Sequence, residues 1–212
     1  MGDKINSLTS KVSIHNLNLI VKDYVRTIKL PSTKSKNPIS ILMVGIPASG
    51  KSYLAKNLAS NLPLVFLSEN DIQSFLVPKT SFAESGQATI NQFAKATIKR
   101  LIKLGYSCIF DANLRTVKLR DESRSVVEKA GGRTIVIYLN CPKQTAYERI
   151  KRRNAEIVAG TVRGFAMDWD YLHYEINTTQ EPLRLEKALT FDSSQADHQM
   201  GGIISYLKSK IV

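Results

Sequence analysis

Cysteine, histidine and tryptophan are scarce in this chain: two, three and one among 212 residues. Cys108 and Cys141 share no metal-ligand or redox spacing, and both fall on or beside expected strands. They form no disulfide framework and read as reduced core residues of a cytoplasmic protein. His15, His173 and His198 are scattered and make no ligand set. No apolar run approaches the length of a membrane span. The first thirty residues contain Asp3, His15, Asn16 and Asp23 and hold no apolar core of signal-peptide type, so no export signal is read. Internal repeats and low-complexity segments are also missing. Acidic residues are in deficit, with 18 Asp and Glu against 30 Lys and Arg, a net charge of +12. That balance fits RNA or DNA, a small phosphorylated substrate, or a soluble basic surface, because charge speaks to association rather than to chemistry.

What is present is concentrated between residues 39 and 56, ISILMVGIPASGKSYLAK. The apolar run Ile39 to Val44 leads into Gly45-Ile46-Pro47-Ala48-Ser49-Gly50-Lys51-Ser52, which matches G-x-x-x-x-G-K-[ST] at every fixed position. Helix formers follow, with Leu54, Ala55, Leu58 and Ala59 spaced for one buried face. Strand, glycine-bounded loop and helix together make a phosphate-binding loop, in which backbone N–H groups and a helix N-terminus surround phosphates. Gly45, Pro47, Ala48, Ser49, Gly50, Lys51, Ser52 and Tyr53 form the expected ATP-binding set. Lys51 reaches the β- and γ-phosphates, and the Ser52 hydroxyl sits on Mg²⁺.

The rest of the chain alternates. Strands are expected at Ile39–Val44, Leu64–Leu67, Ser107–Phe110, Thr134–Leu139 and Ala188–Phe191. Helices are expected at Lys51–Asn61, Asp71–Leu76, Glu84–Leu104, Thr116–Ala130, Lys143–Ile157 and Asp197–Lys210. This pattern implies an α/β fold, a parallel five-stranded sheet flanked by helices, with ligands beyond the carboxyl ends of the strands. Ahead of it, Ile14, Leu17, Ile20, Val21, Tyr24, Val25 and Ile28 repeat at helical spacing, predicting an extra N-terminal helix over Ser13 to Lys29. Pro31 and the polar stretch to Pro38 form a linker. The expected division is therefore 1–38, a helical extension and linker, and 39–212, the nucleotide-binding domain. In the extension seven basic residues face two acidic ones, which suits either a substrate-touching arm or a helix packed on the core.

The kind of nucleotide protein can be narrowed. The base-reading N-K-x-D and the D-x-x-G of switch GTPases are absent. The strand Cys108-Ile109-Phe110 ends in Asp111-Ala112-Asn113-Leu114, without the Asp-Glu pair of motor and ring ATPases. Asp111 can hold Mg²⁺ through water, and the missing glutamate favours transfer to a bound acceptor over water activation.

The combination of GIPASGKS, LSENDIQ after the second strand, FDANL after the third and a basic helix after the fourth resembles the P-loop kinases related to polynucleotide kinase and zeta toxin (AAA_33 type). The resemblance covers about residues 39 to 192. It implies the P-loop NTPase fold and transfer of the γ-phosphate of Mg·ATP to a hydroxyl. It also implies an arginine-bearing lid: Arg149 and Arg153 follow Pro142 at the family's offsets, with Arg152 in reserve and Arg163 in the loop beyond. Such arginines compensate charge spread over the transferring phosphoryl oxygens.

At the acceptor side the sequence departs from the family. The usual aspartate position holds Asn70, the usual arginine position holds Gln73, and Asp71 comes one place late. Asp71 is the expected hydroxyl-binding carboxylate; Asn70, Gln73, Asn113 and Arg163 are the remaining acceptor candidates. Asn70 or Asp71 as a helix N-cap is the alternative. The segment Trp169 to Tyr174 either packs a helix or lines an acceptor groove by stacking on bases. The expected acceptor is first a polynucleotide 5′-hydroxyl, then a nucleoside, a sugar or another small metabolite. The competing reading is a nucleotide-binding or nucleic-acid-binding module with a vestigial ATP site.

Overall fold

A computed structural model of the chain describes residues 14–76, 86–161 and 166–211. Its secondary structure follows the expected alternation. The elements are α1 (Ile14–Thr27), β1 (Ile39–Val44), α2 (Lys51–Asn61), β2 (Val65–Ser68), α3 (Glu69–Leu76), α4 (Gly86–Lys103) and β3 (Cys108–Asp111). They continue with α5 (Val117–Lys129), β4 (Arg133–Asn140), α6 (Lys143–Val158), α7 (Trp169–Thr178), β5 (Leu189–Asp192) and α8 (Ala196–Ile211). All five expected strands and all seven expected helices form, with ends shifted by one or two residues. The expected starts of α1 at Ser13 and of α4 at Glu84 lie outside the described residues.

The strands pair in parallel in the order β2-β3-β1-β4-β5. Every residue of β1 is buried, as a central strand covered on both faces requires. Alternation along β1 divides the core. Leu42 points to the layer of α1, α3, α4 and α5, where Val65, Leu67, Phe93, Ile98, Phe110 and Val127 gather. Ile39, Ile41 and Met43 point to α2 and α8, against Leu54, Leu58, Ile109, Ile137, Ile203 and Leu207. Cys108 and Cys141 are buried and unpaired with each other.

Helix α1 joins the first layer. Its Val21, Tyr24 and Val25 are buried, and the Tyr24 ring lies 4.7 Å from Phe75 and 5.5 Å from Phe93, centroid to centroid. A third small core links the phosphate-binding loop to the lid: Ile46 and Ala48 pack against Ala146, Ile150, Leu172 and Ile176 of α6 and α7. Among the described residues no helix is long and apolar enough to cross a membrane.

Candidate active site

The loop between β1 and α2 has the backbone that its glycines permit. Gly45 takes φ +150° and Gly50 φ +101°. A Cβ on Gly45 would stand 2.8 Å from both the Leu139 carbonyl oxygen and Ser49 Oγ, so only glycine fits there. Ala48 is also left-handed at φ +58°, a conformation that costs free energy and clusters at functional turns. Ser49 Oγ is buried without a hydrogen-bond partner. An orphaned hydroxyl inside a ring of backbone donors suits phosphate oxygens.

Lys51 opens α2 and folds over the loop, donating from Nζ to the carbonyls of Gly45 (2.7 Å) and Ile46 (2.9 Å). Burial lowers its ammonium to about 8, against the pull of Asp111, Glu175, Cys141 and Glu69, which raise it. Ser52 and Tyr53, next along α2, are exposed at the loop mouth. Asp111 ends β3 on the neighbouring strand, in register with Ser68 of β2. Ser52 and Asp111 offer oxygen donors alone, which suits a hard cation such as Mg²⁺. Among the described residues no cluster of three or more ligating side chains is present. Magnesium held by one or two protein oxygens plus phosphates and water needs none.

The lid arginines separate. Arg149 on α6 donates from Nη1 to the Ala48 carbonyl at 3.0 Å, so it touches the phosphate-binding loop itself. Arg153, one turn on, is exposed. Arg152 points along the helix toward Glu156 at 3.8 Å. Arg163 lies outside the described residues.

The expected acceptor residues surround the start of α3. Helix α3 begins at Glu69, and its N-cap contact is Ser68 Oγ accepting from the Asp71 N–H at 3.0 Å, so neither Asn70 nor Asp71 caps it. Asn70, Asp71 and Gln73 are exposed. The Asp71 charge is felt by Tyr24 of α1, whose phenol is pushed up to about 12 by burial and then by that carboxylate. Glu69 is half-buried beside the loop after β3. Its Oε2 accepts the Asn113 N–H at 3.1 Å, and Oε1 accepts from Gln87. Burial raises its pKa, and the charges of Asp111 and Glu175 add to the rise, while the Asn113 amide and Lys51 oppose it.

A second carboxylate, absent from the sequence-based candidates, anchors this side. Glu175 of α7 is buried and accepts from Asn113 Nδ2 and Arg115 Nη1. Behind it, Arg120 is wholly buried and forms a two-pronged pair with Glu186 (2.7 and 2.8 Å). The same guanidinium donates to the Leu114, Gln180 and Glu181 carbonyls. It thereby fixes the loop after β3 to the segment that precedes β5. A sequence signal existed for both residues. Glu175 sits between Leu172 and Ile176 on the apolar face of α7, and Arg120 shares a face of α5 with Ser123 and Val127. A charge in an apolar stripe announces a buried partner.

Fold and loop together define a P-loop nucleotide-binding protein. The chain belongs to the AAA_33 family of AAA domains, whose model matches residues 41–163. This bears out the resemblance drawn from GIPASGKS and FDANL. No curated protein matches the sequence. Among solved structures, Kti12 of Chaetomium thermophilum in complex with ADP-AlF3 superposes with a TM-score of 0.66 at 16% identity, covering 82% of this chain and 99% of that one. A candidate kinase of Chloroflexus aurantiacus gives 0.65 at 22% identity, covering 82% and 98%. The structure from the PezAT toxin-antitoxin system of Streptococcus pneumoniae gives 0.63 at 14% identity, covering 95% and 96%. These likenesses establish the fold.

Proposed function

We propose that the protein is an ATP-dependent phosphotransferase that moves the γ-phosphate of Mg·ATP to a hydroxyl acceptor. One observation carries this reading: Lys51 folds over a phosphate-binding loop, and Asp111 and Glu69 stand at the ends of the next two strands of the same sheet. The solved structures of similar fold include a gluconokinase of Sinorhizobium meliloti and an APS kinase of Mycobacterium tuberculosis, so this fold serves kinases.

In this reading the loop amides and Lys51 bind the triphosphate, and Arg149 turns from the Ala48 carbonyl to the transferring group, with Arg153 behind it. Ser52 and Asp111 hold the magnesium ion, which when bound neutralises charge on the β- and γ-oxygens. Glu69 takes the role expected of Asp71. Its carboxylate receives the acceptor proton as the acceptor oxygen bonds to γ-phosphorus, and the bond from γ-phosphorus to the bridging oxygen breaks to release ADP. Burial, which raises the Glu69 carboxyl above its ordinary value, strengthens it as a proton acceptor. Residues 39–212 form the kinase domain, with 1–38 its extension, and the protein works in the cytoplasm. The first acceptor is a polynucleotide 5′-hydroxyl, in keeping with the +12 net charge; a nucleoside, sugar or other small metabolite follows.

The test is transfer from γ-labelled ATP to a 5′-hydroxyl RNA oligonucleotide with Mg²⁺, using Lys51→Ala as control. Label that disappears in the variant supports the reading. Transfer that persists in the variant removes the loop from the mechanism, and ATP binding with no transfer to any hydroxyl leaves a nucleotide-binding module.

A further inference from the structure

Helix α7 buries Leu172, Glu175 and Ile176 and leaves Tyr171 and Tyr174 open on the flank that meets the loop after β3. These tyrosines are 53% and 54% exposed, large values for rings beside a buried carboxylate. Burial and the nearby Glu175 carboxylate push the Tyr171 phenol up from its ordinary value. Tyr174 is tethered at its polar end. The Tyr174 hydroxyl accepts from Arg115 Nη2 at 3.3 Å, and the Arg115 guanidinium lies 5.0 Å from the Tyr174 ring centroid. Glu175 holds Arg115 on one oxygen and Asn113 on the other. Asn113 in turn gives its backbone N–H to Glu69. An unbroken line of contacts therefore joins the open Tyr174 ring to the carboxylate placed at the acceptor hydroxyl, and Tyr171 lies three residues before it on the same helix.

We propose that Tyr171 and Tyr174, braced by Arg115, form a stacking platform for a nucleobase of the acceptor, the base that carries the hydroxyl presented to Glu69. The inference rests on the phosphotransfer reading for the hydroxyl but not for the base. Residues three apart on a helix lie one above the other, about 5–6 Å between Cβ atoms, which suits a flat ring laid across both. Every base has a π-face, so such a platform tolerates sequence, and a guanidinium beside it adds attraction to ring and phosphate alike. The occupant is the end of a polynucleotide, because the net charge of +12 favours a polyanion. A free nucleoside presents the same ring.

Binding of a 3′-labelled, 5′-hydroxyl oligonucleotide to the full-length protein, with a non-hydrolysable ATP analogue present, tests this without any need for transfer. Its counterpart lacks only the terminal base. The intact end should bind more tightly by roughly 5- to 150-fold, the range for one stacked base. Tyr174→Ala should bring the intact end down to the abasic level with ATP-analogue affinity unchanged. Tyr174→Phe should retain most of the preference, and Tyr171→Ala serves if Tyr174→Ala fails to fold. Adenosine that displaces the oligonucleotide at equal concentration would assign the platform to nucleosides, still as a base site. Equal binding of both ends by the unaltered protein, no binding, or a preference that survives both alanine variants would overturn the proposal. A base preference without phosphate transfer would refute the enzyme reading alone.

Discussion

Lys51 makes nucleotide affinity a function of pH. In the free protein its ammonium is lowered to about 8 by burial, so it loses its proton well below the ordinary value of 10.5. A bound triphosphate holds that proton, and the complex therefore favours the charged form. Raising the pH removes the charge from the free protein first, and ATP binding must then recover a proton from solvent. With a free-state value of about 8, the protonated fraction falls from roughly three-quarters at about pH 7.5 to roughly one-eleventh at about pH 9. The dissociation constant should rise about eightfold, ~1.3 kcal/mol, over that interval. Both pH values lie above the last ionisation of the triphosphate, so the ligand contributes no slope. Calorimetric titration of ATP at fixed Mg²⁺ measures it, and proton uptake read in buffers of different ionisation enthalpy gives an independent check. Lys51→Ala should bind weakly and with no pH slope while melting cooperatively. A flat curve for the unaltered protein, or the same slope in Lys51→Ala, would refute the argument.

Four further outcomes are expected. Gly45→Ala places a Cβ 2.8 Å from the Leu139 carbonyl and Ser49 Oγ; it should cost about 1–3 kcal/mol of stability in thermal melts and weaken ATP in the same samples. Arg120→Ala removes the two-pronged partner of buried Glu186 and leaves it only Arg124 at 3.4 Å and the Leu183 N–H; it should cost about 3 kcal/mol in urea unfolding, the low end for a broken buried pair. The double replacement of Arg120 and Glu186 by apolar residues of similar volume should recover most of that loss. Glu69→Gln should lower kcat by about 10²–10⁴-fold while Asp71→Asn leaves it nearly unchanged, and the reverse order would return the role to Asp71. Asp111→Asn should abolish the Mg²⁺ dependence of ATP affinity, seen by titration with and without EDTA.

The features legible in the sequence were those written in local pattern. The phosphate-binding loop is contiguous, and the strands of a buried parallel sheet appear as short apolar runs, so β1 and β3 could be placed nearly to the residue. What stayed hidden depended on direction rather than on pattern. The directions of residues 69, 70 and 71 turn on where β2 ends and which hydroxyl caps α3, and Ser68 does both; the proposed role of Glu69 follows from that placement. Each residue turns the helix by about 100°, so the two places between Asp71 and Glu69 swing a side chain through about 200°, to the opposite flank. For Glu175 and Arg120 the helix pattern marks a buried charge but not what it pairs with. Their partners Asn113 and Glu186 lie 62 and 66 residues away in the chain, and no local rule pairs residues across such a gap.

Helix α1 changes what counts as the working unit. The family match begins at residue 41, yet Val21, Tyr24 and Val25 complete a core whose other wall is Phe75 and Phe93. Each of those three side chains contributes about 1.5–3 kcal/mol by leaving water. A protein begun at Pro38, just before β1, and otherwise intact would keep every residue of the phosphate-binding loop and lose the cover over α3 and α4. Its melting temperature would fall and its bare aromatic face would seek a neighbour, so inactivity and clumping in such a fragment would report on missing insulation and not on the chemistry of the site.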